Sequence, residues 1–327
     1  MTPNTLKYND QIRIISPSGV INPDYIDGAK KMLASWGLQP SEGHYARAEY
    51  GRFAGTHSQR VTDVQQALDD PAVKAILCSR GGYGLAPIID KLDFSGFQKS
   101  PKWLIGFSDI SILHNAITNL GIASIHGVMS KYFTELPPEA EQLQLIKDIL
   151  FGRLPTYTLP PQPLNRAGQA TGKLIGGNIS VLLGLRGSKF DMQLQNNILF
   201  LEDVGEKPYQ IDRMMQSLRL SGALAQLSGL VVGQFSETSE DPLMNRSIVE
   251  IIYDAVSEYD YPVCFDFPAG HVDYNLPLVL GTLVHLNVTS DGATLGYKAR
   301  ILYKKNISSA LKRISFFIKK RKRVPFC

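Results

Sequence analysis

Short apolar runs alternate with segments of helical periodicity through the first half of the chain. Apolar runs of this length are typical of strands buried on both faces, as in a parallel sheet that helices cover. The predicted strands are 11–16, 72–79, 102–106 and 122–125, separated by predicted helices from Asn22-Pro23 to Gly37, at 58–69 and from 110 onwards. This alternation predicts an α/β fold with a parallel sheet between two layers of helices.

The pattern changes after a proline-rich segment without periodicity, which is typical of a linker. Beyond it, strands are predicted at 198–202, 229–234 and 262–266, helices near 208–221 and 242–258, and a hairpin around Asp291-Gly292. The predicted organisation is a parallel α/β domain over 1–153, a linker over 154–170, a smaller α/β domain over 171–305 and a tail over 306–327. A length of 327 residues fits two domains.

The net charge of +4 hides an uneven distribution along the chain. Residues 298–327 carry eleven Lys and Arg with no Asp or Glu, which leaves 23 basic and 30 acidic residues before them. An acidic body argues against nucleic-acid binding by the main domains. Within the tail, apolar residues fall near one face of a predicted helix, and a basic amphipathic helix can lie on an anionic membrane surface. A solvated extension, or a helix packed on the body, is the alternative.

Cysteine content and the N-terminal sequence predict a cytoplasmic protein. Three scattered cysteines give neither a disulfide framework nor a CxxC zinc pattern, and no histidine pattern indicates a metal. The N-terminus lacks a basic segment followed by an apolar run, and no apolar stretch approaches about 18 residues. We therefore expect no metal, no other cofactor and no membrane span.

A serine stands at a strand-to-helix turn, in the segment Ile105-Gly106-Phe107-Ser108-Asp109. On such a turn the hydroxyl is exposed above the carboxyl edge of the sheet, and the following N–H can stabilise an oxyanion. Isoleucine replaces the second glycine of the usual nucleophile elbow, so the motif matches in part. Ser108 is a candidate nucleophile, with an ordinary helix cap as the alternative.

A second glycine-rich turn, Arg80-Gly-Gly-Tyr-Gly84, follows the predicted strand 72–79. Gly81 and Gly82 would let the backbone approach a ligand closely and present N–H groups to it. The segment lacks the lysine of a P-loop and the spacing of a dinucleotide fingerprint. We interpret it as a candidate binding loop in which Arg80 could hold a carboxylate with two hydrogen bonds. The alternative is a plain turn in which Arg80 forms a structural salt bridge.

A serine nucleophile needs a base, and His271 is the strongest of six histidine candidates. It follows a predicted strand and the rigid turn Phe267-Pro-Ala-Gly270, while His126 could also line a cleft. The base in turn needs an orienting carboxylate. Glu202 ends a predicted strand and can serve, although Asp203 and Glu206 nearby also fit the paired carboxylates of a glycosidase.

Together these segments resemble the LD-carboxypeptidase family, which includes muramoyltetrapeptide carboxypeptidases and microcin C-resistance serine peptidases. The resemblance covers about 300 residues, with several motifs in the same order. They are SPSG (16–19), FAGTHSQR (53–60), SRGGYG (79–84), IGFSDIS (105–111), HGVM (126–129), GKLIGGNIS (172–180), LFLEDVGEKPYQIDRMM (199–215), VVGQF (231–235) and PAGH (268–271).

The resemblance implies that Ser108 is the nucleophile, His271 the general base and Glu202 its orienting partner. It implies an oxyanion hole formed by the backbone N–H groups of Gly82 and Asp109. It further implies a Rossmann-like, glutamine-amidotransferase-like N-terminal domain, a homodimer, and release of D-alanine from a murein tetrapeptide by cleavage of an L,D-peptide bond.

Two departures and three alternatives accompany this resemblance. Phe107 replaces the tyrosine common before the serine, and Val128 replaces a proline often seen after His-Gly. Both bear on substrate detail, since neither is a member of the triad. The alternatives are hydrolysis of a microcin C-type peptidyl or aminoacyl nucleotide, a non-catalytic anion-binding module, and a metal-dependent carboxypeptidase. The absent ligand spacing argues against the last.

Overall fold

The first sheet has six strands in the order β11-β5-β4-β3-β1-β2. Five of them run parallel, as predicted, and β11 pairs antiparallel with β5. The strands are β1 (Gln11–Ile15), β2 (Gln39–Glu42), β3 (Val73–Cys78), β4 (Trp103–Gly106), β5 (Ser124–His126) and β11 (Leu278–Leu280). In this computed structural model, residues 1–239, 241 and 243–297 are described.

Six helices accompany this sheet, and apolar clusters pack on both of its faces. They are α1 (Pro23–Ser35), α2 (His57–Asp69), α3 (Ser95–Lys99), α4 (Ser111–Asn119), α5 (Ser130–Glu135) and α6 (Glu141–Leu150). The starts of α1 and α2 are set locally. The side chain of Asn22 caps α1, and Thr56 forms a capping box with Gln59 at α2.

The second sheet has seven strands in the order β10-β9-β8-β7-β12-β13-β6. Strands β7 to β10 run parallel, and the remaining pairs are antiparallel. The strands are β6 (Thr156–Leu159), β7 (Gly168–Asn178), β8 (Ile198–Val204), β9 (Gly229–Ser236), β10 (Val263–Cys264), β12 (Leu283–Thr289) and β13 (Gly292–Tyr297); the helices are α7 (Ile179–Leu183), α8 (Pro208–Leu220) and α9 (Ile248–Ala255).

The predicted α/β class and the hairpin around Asp291-Gly292 are confirmed. Two connections differ from the simple domain order. The segment predicted as a linker, 154–170, contains strand β6, and β11 returns from the second half of the chain to the first sheet. Residues Met1–Tyr297 form one compact unit. The predicted domain boundaries stay a prediction.

The helix predicted over 242–258 is shorter, since α9 covers Ile248–Ala255. The predicted tail, 306–327, lies outside the described residues, as does the last part of the predicted second domain. Within the described part of the chain, every helix is too short or too polar to cross a lipid bilayer.

Candidate active site

Ser108 lies directly beyond the carboxyl end of β4, in a tight turn before α4. Its φ is +66°, in the left-handed region that side chains other than glycine rarely adopt. Such strain costs about 1–3 kcal/mol and persists only where the surrounding structure enforces it. Gly106 makes room before the turn, because a Cβ there would lie 3.0 Å from the Ile110 side chain. The geometry is that of a nucleophile elbow.

Gly81 packs directly against Ser108. A Cβ at position 81 would lie 2.7 Å from the Ser108 Cβ and 2.9 Å from its Oγ, so only glycine fits. The carbonyl of Gly81 accepts a hydrogen bond from the N–H of Gly19 at 3.0 Å. Gly82 follows at a φ of +97°. This conformation explains the glycine pair that the sequence shows, and it holds the backbone of the loop beside the serine.

Asp109 anchors two loops, the one that contains Ser18 and the one that runs from Arg80 to Leu85. Its buried carboxylate accepts hydrogen bonds from the Ser18 hydroxyl at 2.6 Å and from the Leu85 N–H at 2.9 Å. Burial raises the pKa of Asp109, and these hydrogen bonds oppose the rise. Its N–H belongs to the first turn after the elbow, where N–H groups have no partner within the helix. The carboxylate thus fixes the loops that carry Ser18 and Leu85.

Arg60 also holds these loops. The sequence analysis did not identify this residue. The buried guanidinium donates to the carbonyls of Pro17, at 2.9 Å, and Gly84, and to that of Gly55 at 3.3 Å. Arg60 also lies over the Phe53 ring, 5.1 Å from its centroid. In the sequence Arg60 ends the motif FAGTHSQR (53–60), but an arginine inside the helical segment 58–69 gives no local sign of burial.

Glu202 and His271 form a hydrogen-bonded pair in the second half of the chain. Nδ1 of His271 lies 2.8 Å from Oε2 of Glu202, which is fully buried near the end of β8. Gly270, at a φ of +138°, lets the loop before His271 pass close to Glu202, because a Cβ at position 270 would lie only 3.1 Å from the Glu202 side chain. His271 keeps 18% of its side chain exposed. A buried carboxylate that holds one ring nitrogen leaves the other nitrogen to act on a neighbour.

Glu202 and His271 each change the pKa of the other. Burial lowers the pKa of His271, but the hydrogen bond and the negative charge of Glu202 outweigh that effect and leave the pKa above its ordinary value. Burial raises the pKa of Glu202, and its hydrogen bond to His271 opposes this rise. The carboxylate therefore favours a charged imidazolium, which is what a base needs once it has accepted a proton.

One pocket of about 560 Å³ brings the two halves of the site together. Ser108, Gly81 and Gly82 line it from the first half of the chain, and His271 lines it from the second. A larger groove, of about 1070 Å³, lies elsewhere along β9 and α9 and contains none of the predicted catalytic residues. We place the candidate active site in the smaller pocket, since the strained serine and the imidazole both line it.

Arg80 lines the same pocket with an exposed side chain. Its guanidinium donates to the Val20 carbonyl at 2.7 Å, and within the described residues it forms no ion pair. The structural salt bridge considered for Arg80 is therefore absent from this part of the chain. The guanidinium keeps donors that can bind a ligand.

The other histidines lie away from Ser108 or serve the core. His114 is buried, and its ring nitrogens contact Ser124 Oγ and the Gly106 carbonyl, both at 2.8 Å. His126 is buried between Phe107 and Phe200, with neither ring nitrogen hydrogen-bonded among the described residues. His285, on β12, is hydrogen-bonded through Nδ1 to the hydroxyl of Thr171. His44 and His57 are exposed.

Two family models match separate stretches of this chain. The model for the LD-carboxypeptidase N-terminal domain matches residues 12–127, and that for the C-terminal domain matches residues 171–286. The chain belongs to the LD-carboxypeptidase family. Because this is a family of peptidases, membership in it argues against the interpretation of Glu202, Asp203 and Glu206 as the paired carboxylates of a glycosidase.

Relatives along the whole chain agree with this assignment. A probable murein peptide carboxypeptidase of Bacillus subtilis is 32% identical over 304 residues, covering 90% of this chain and 93% of the relative. The murein tetrapeptide carboxypeptidase of Pseudomonas aeruginosa is 32% identical over 270 residues, covering 80% and 88%. This member of the LD-carboxypeptidase family therefore shares most of its length with curated relatives that are named carboxypeptidases.

Solved structures show the same architecture. The muramoyltetrapeptide carboxypeptidase of Oxalobacter formigenes superposes with a TM-score of 0.81 at 27% identity, covering 88% of this chain and 99% of that one. MccF in complex with glutamyl sulfamoyl guanosine gives a TM-score of 0.79 at 19% identity, covering 90% and 98%. The second likeness concerns the fold alone.

Proposed function

We propose that this LD-carboxypeptidase is a serine peptidase that releases the terminal D-alanine of a murein tetrapeptide by cleaving its L,D-peptide bond. One observation carries the proposal. Ser108, on a strained elbow, shares a pocket with His271, whose Nδ1 is hydrogen-bonded to the buried Glu202. The names of the Bacillus and Pseudomonas relatives support the murein peptide as substrate.

In the first half of the reaction, Nε2 of His271 takes the proton of the Ser108 hydroxyl as Oγ attacks the carbonyl carbon. Glu202 holds the imidazole in the tautomer with the proton on Nδ1 and stabilises the imidazolium. The N–H groups of Gly82 and Asp109 donate to the developing oxyanion. When the tetrahedral intermediate collapses, the imidazolium gives its proton to the leaving amine, and D-alanine departs.

In the second half, a water molecule attacks the acyl-enzyme. His271 takes a proton from that water, the oxyanion forms again in the same place, and the proton returns to Ser108 Oγ as the peptide acid leaves. The enzyme ends in its starting state without consuming a cofactor. Such a cycle suits the recycling of wall fragments. We further propose that the enzyme acts in the cytoplasm and that it forms a homodimer.

The terminal carboxylate of the substrate distinguishes an exopeptidase from an endopeptidase. Arg80 binds this carboxylate in our proposal, since its guanidinium faces the pocket without an acidic partner among the described residues. The Arg80→Ala variant is expected to lose turnover of the free acid and to change little on a substrate amidated at that carboxylate. Equal losses on both substrates would show that Arg80 does not read the carboxylate.

A fluorophosphonate probe tests the nucleophile directly. The native protein is expected to be labelled and Ser108→Ala to stay unlabelled, with Ser95→Ala, outside the pocket, as the matched control. Incubation with the L,D-tetrapeptide and with its all-L isomer then tests the substrate. Labelling that survives Ser108→Ala would remove the proposed nucleophile, and an absence of labelling in native protein would favour an anion-binding module.

Hydrolysis of an aminoacyl or peptidyl nucleotide is a second candidate, because the chain shares its fold with MccF bound to glutamyl sulfamoyl guanosine. The same serine chemistry would serve both substrates. Parallel assays with the tetrapeptide and with an aminoacyl sulfamoyl nucleoside separate them. We expect the tetrapeptide to be hydrolysed and the nucleoside to stay intact.

A further inference from the structure

The second sheet holds His271 at two points, one on its ring and one on its backbone. Nδ1 of the imidazole is hydrogen-bonded to Glu202, on β8. The hydroxyl of Ser236, the last residue of β9, donates to the backbone carbonyl of His271 at 2.7 Å. Within residues 1–239, 241 and 243–297, no other hydrogen bond reaches the backbone of His271. Ser236 has no role in the proposed reaction.

The two residues that hold His271 lie on adjacent strands and on the same face of the sheet. Strands β8 and β9 run parallel, and Ser236 pairs with Val204, two residues after Glu202. Because side chains alternate along a strand, Val204 and Glu202 point to the same face. Ser236 shares this face, since it lies directly beside Val204. In agreement with this placement, Val204 lines the candidate active-site pocket together with His271.

A β-bulge in β9 puts the hydroxyl on this face. The strand advances by three residues, from Val232 to Phe235, while β8 advances by two. The extra residue changes which face the following side chains point to. Without it, Phe235 would lie beside Val204, and Ser236 would point away from His271. Bulges beside active sites re-aim a side chain in this way.

The backbone of Ser236 is itself fixed, so its hydroxyl is a rigid point of attachment. The carbonyl of Ser236 accepts a hydrogen bond from the Gly205 N–H at 2.9 Å, just beyond the end of β8. A hydrogen bond from Nδ1 to Glu202 would by itself leave the imidazole free to swing about the carboxylate. The second contact, on the backbone of His271, removes that freedom and sets where Nε2 lies.

From this two-point attachment we infer that Ser236 is a positioning residue for the reaction, which holds the backbone of His271 so that its imidazole can reach Ser108. The inference rests on the proposed function. One neutral hydrogen bond adds little to the stability of the whole fold. Its loss should be felt in proton transfer, which needs the base within hydrogen-bond reach of the hydroxyl.

Two substitutions at position 236 separate the hydroxyl from the space that it fills. In Ser236→Ala we expect kcat on the L,D-tetrapeptide to fall about tenfold with KM little changed, since a displacement of about 1 Å can cost about 100-fold in rate. Ser236→Thr keeps a hydroxyl on a residue that suits a strand, and it is expected to restore most of kcat. Ser257→Ala is the matched control, because that hydroxyl also donates to a backbone carbonyl, that of Asp254, and lies outside the pocket.

The same change in a His271→Ala background tests whether Ser236 acts through the base. The backbone carbonyl at 271 remains there, but the imidazole is gone. Ser236→Ala is therefore expected to leave the residual rate of fluorophosphonate labelling unchanged, since two residues that act through one step do not add. An equal loss in both backgrounds would show that the hydroxyl acts on something else, and the inference would be wrong.

The remaining outcomes separate this inference from the proposed function. Native kcat in Ser236→Ala, or equal losses in Ser236→Ala and Ser236→Thr, would show that the hydroxyl does not position the base. A large fall in the urea-unfolding free energy of Ser236→Ala would make the residue a structural one and would overturn the inference as well. Full labelling of His271→Ala, or no hydrolysis of the tetrapeptide by native enzyme, would instead overturn the proposed function.

Discussion

The ring of Phe107 packs on the imidazole of His271, with ring centroids 4.8 Å apart. Phe107 directly precedes Ser108 in the chain, and its other side meets the buried ring of His126 at 5.9 Å. One side chain therefore contacts both the loop of the proposed base and the elbow of the proposed nucleophile. The two groups come from opposite halves of the sequence, and this aromatic contact joins those halves beside the pocket.

Replacing Glu202 by glutamine should slow the reaction and move its dependence on pH. A general base works only when neutral, so native activity is lost as pH falls through the pKa of His271, which Glu202 raises. In Glu202→Gln that pKa falls, and the acid limb of the kcat/KM profile is expected to move to lower pH. A loss in kcat of about 10⁴-fold is expected, by analogy with the matching change in serine proteases.

Glu206→Gln is the matched control for this measurement. Glu206 follows β8 within four residues of Glu202, and no hydrogen bond joins it to His271 among the described residues. Its profile should keep the native acid limb. An unmoved limb in Glu202→Gln would show that this carboxylate does not control the imidazole.

Gly81→Ala should impair catalysis through a single added carbon. The new Cβ would lie 2.7 Å from the Ser108 Cβ, so the serine must move, and a displacement of about 1 Å can cost about 100-fold in rate. Gly296→Ala is the control, because its Cβ would meet only Thr156 at an ordinary 3.6 Å. Rates of fluorophosphonate labelling measure the effect. Equal labelling of both variants would contradict the tight packing described for Gly81.

Buried histidines predict that the fold weakens in mild acid. Burial lowers the pKa of His114 to about 4, and it lowers that of His126 well below the ordinary value of 6.5. At these two sites the unfolded chain then binds protons that the native state excludes, so the contribution of the two histidines to stability falls as pH drops below about 6.5. For His114 the loss reaches about 3 kcal/mol by pH 4.

Urea unfolding at several pH values between 7.5 and 4.5 measures this loss. The variant His126→Phe keeps an aromatic ring in the same place and is expected to show a shallower decline in unfolding free energy. His57→Gln, at an exposed position, should follow the native curve. A His126→Phe curve as steep as that of the native protein would exclude His126 from the effect.

The basic tail predicts binding to anionic membranes, from its sequence alone. Residues 298–327 contain eleven Lys and Arg and no acidic residue. Full-length protein is expected to sediment with vesicles that contain anionic lipid, less so at high salt, while a chain that ends at 305 should stay in the supernatant. Vesicles of neutral lipid are the control. Equal sedimentation of both proteins would end this hypothesis.

Local patterns in the sequence were enough to predict most strands and the positions of the candidate site residues. Apolar runs marked β4 and β8, which are buried on both faces, and β3, which is buried apart from Lys74. They also marked β1, whose isoleucines are buried while Gln11 and Arg13 are half-buried. Strand β10 proved shorter than 262–266, since the chain turns away at Asp266, where φ is +62°. A left-handed residue inside an apolar segment leaves no clear signal in the sequence.

Long-range contacts set the features that the sequence analysis missed. Nothing local marks Arg60 as buried, since its burial depends on the loops at Pro17, Gly55 and Gly84 folding around it. The charge of the pocket likewise depends on which side chains meet across α5 and the loop after β3. Only the fold brings Arg80 and Lys131 to one pocket.

Strand β11 has a consequence for how the enzyme is made. Leu278 pairs with His126 and Leu280 with Ser124, so the edge of the first sheet is closed by residues that are synthesised long after β5. A nascent chain has β4 and Ser108 long before it has this neighbour or the loop of His271. A fragment that stops at 153 would lack β11 and expose the unpaired edge of β5 to aggregation.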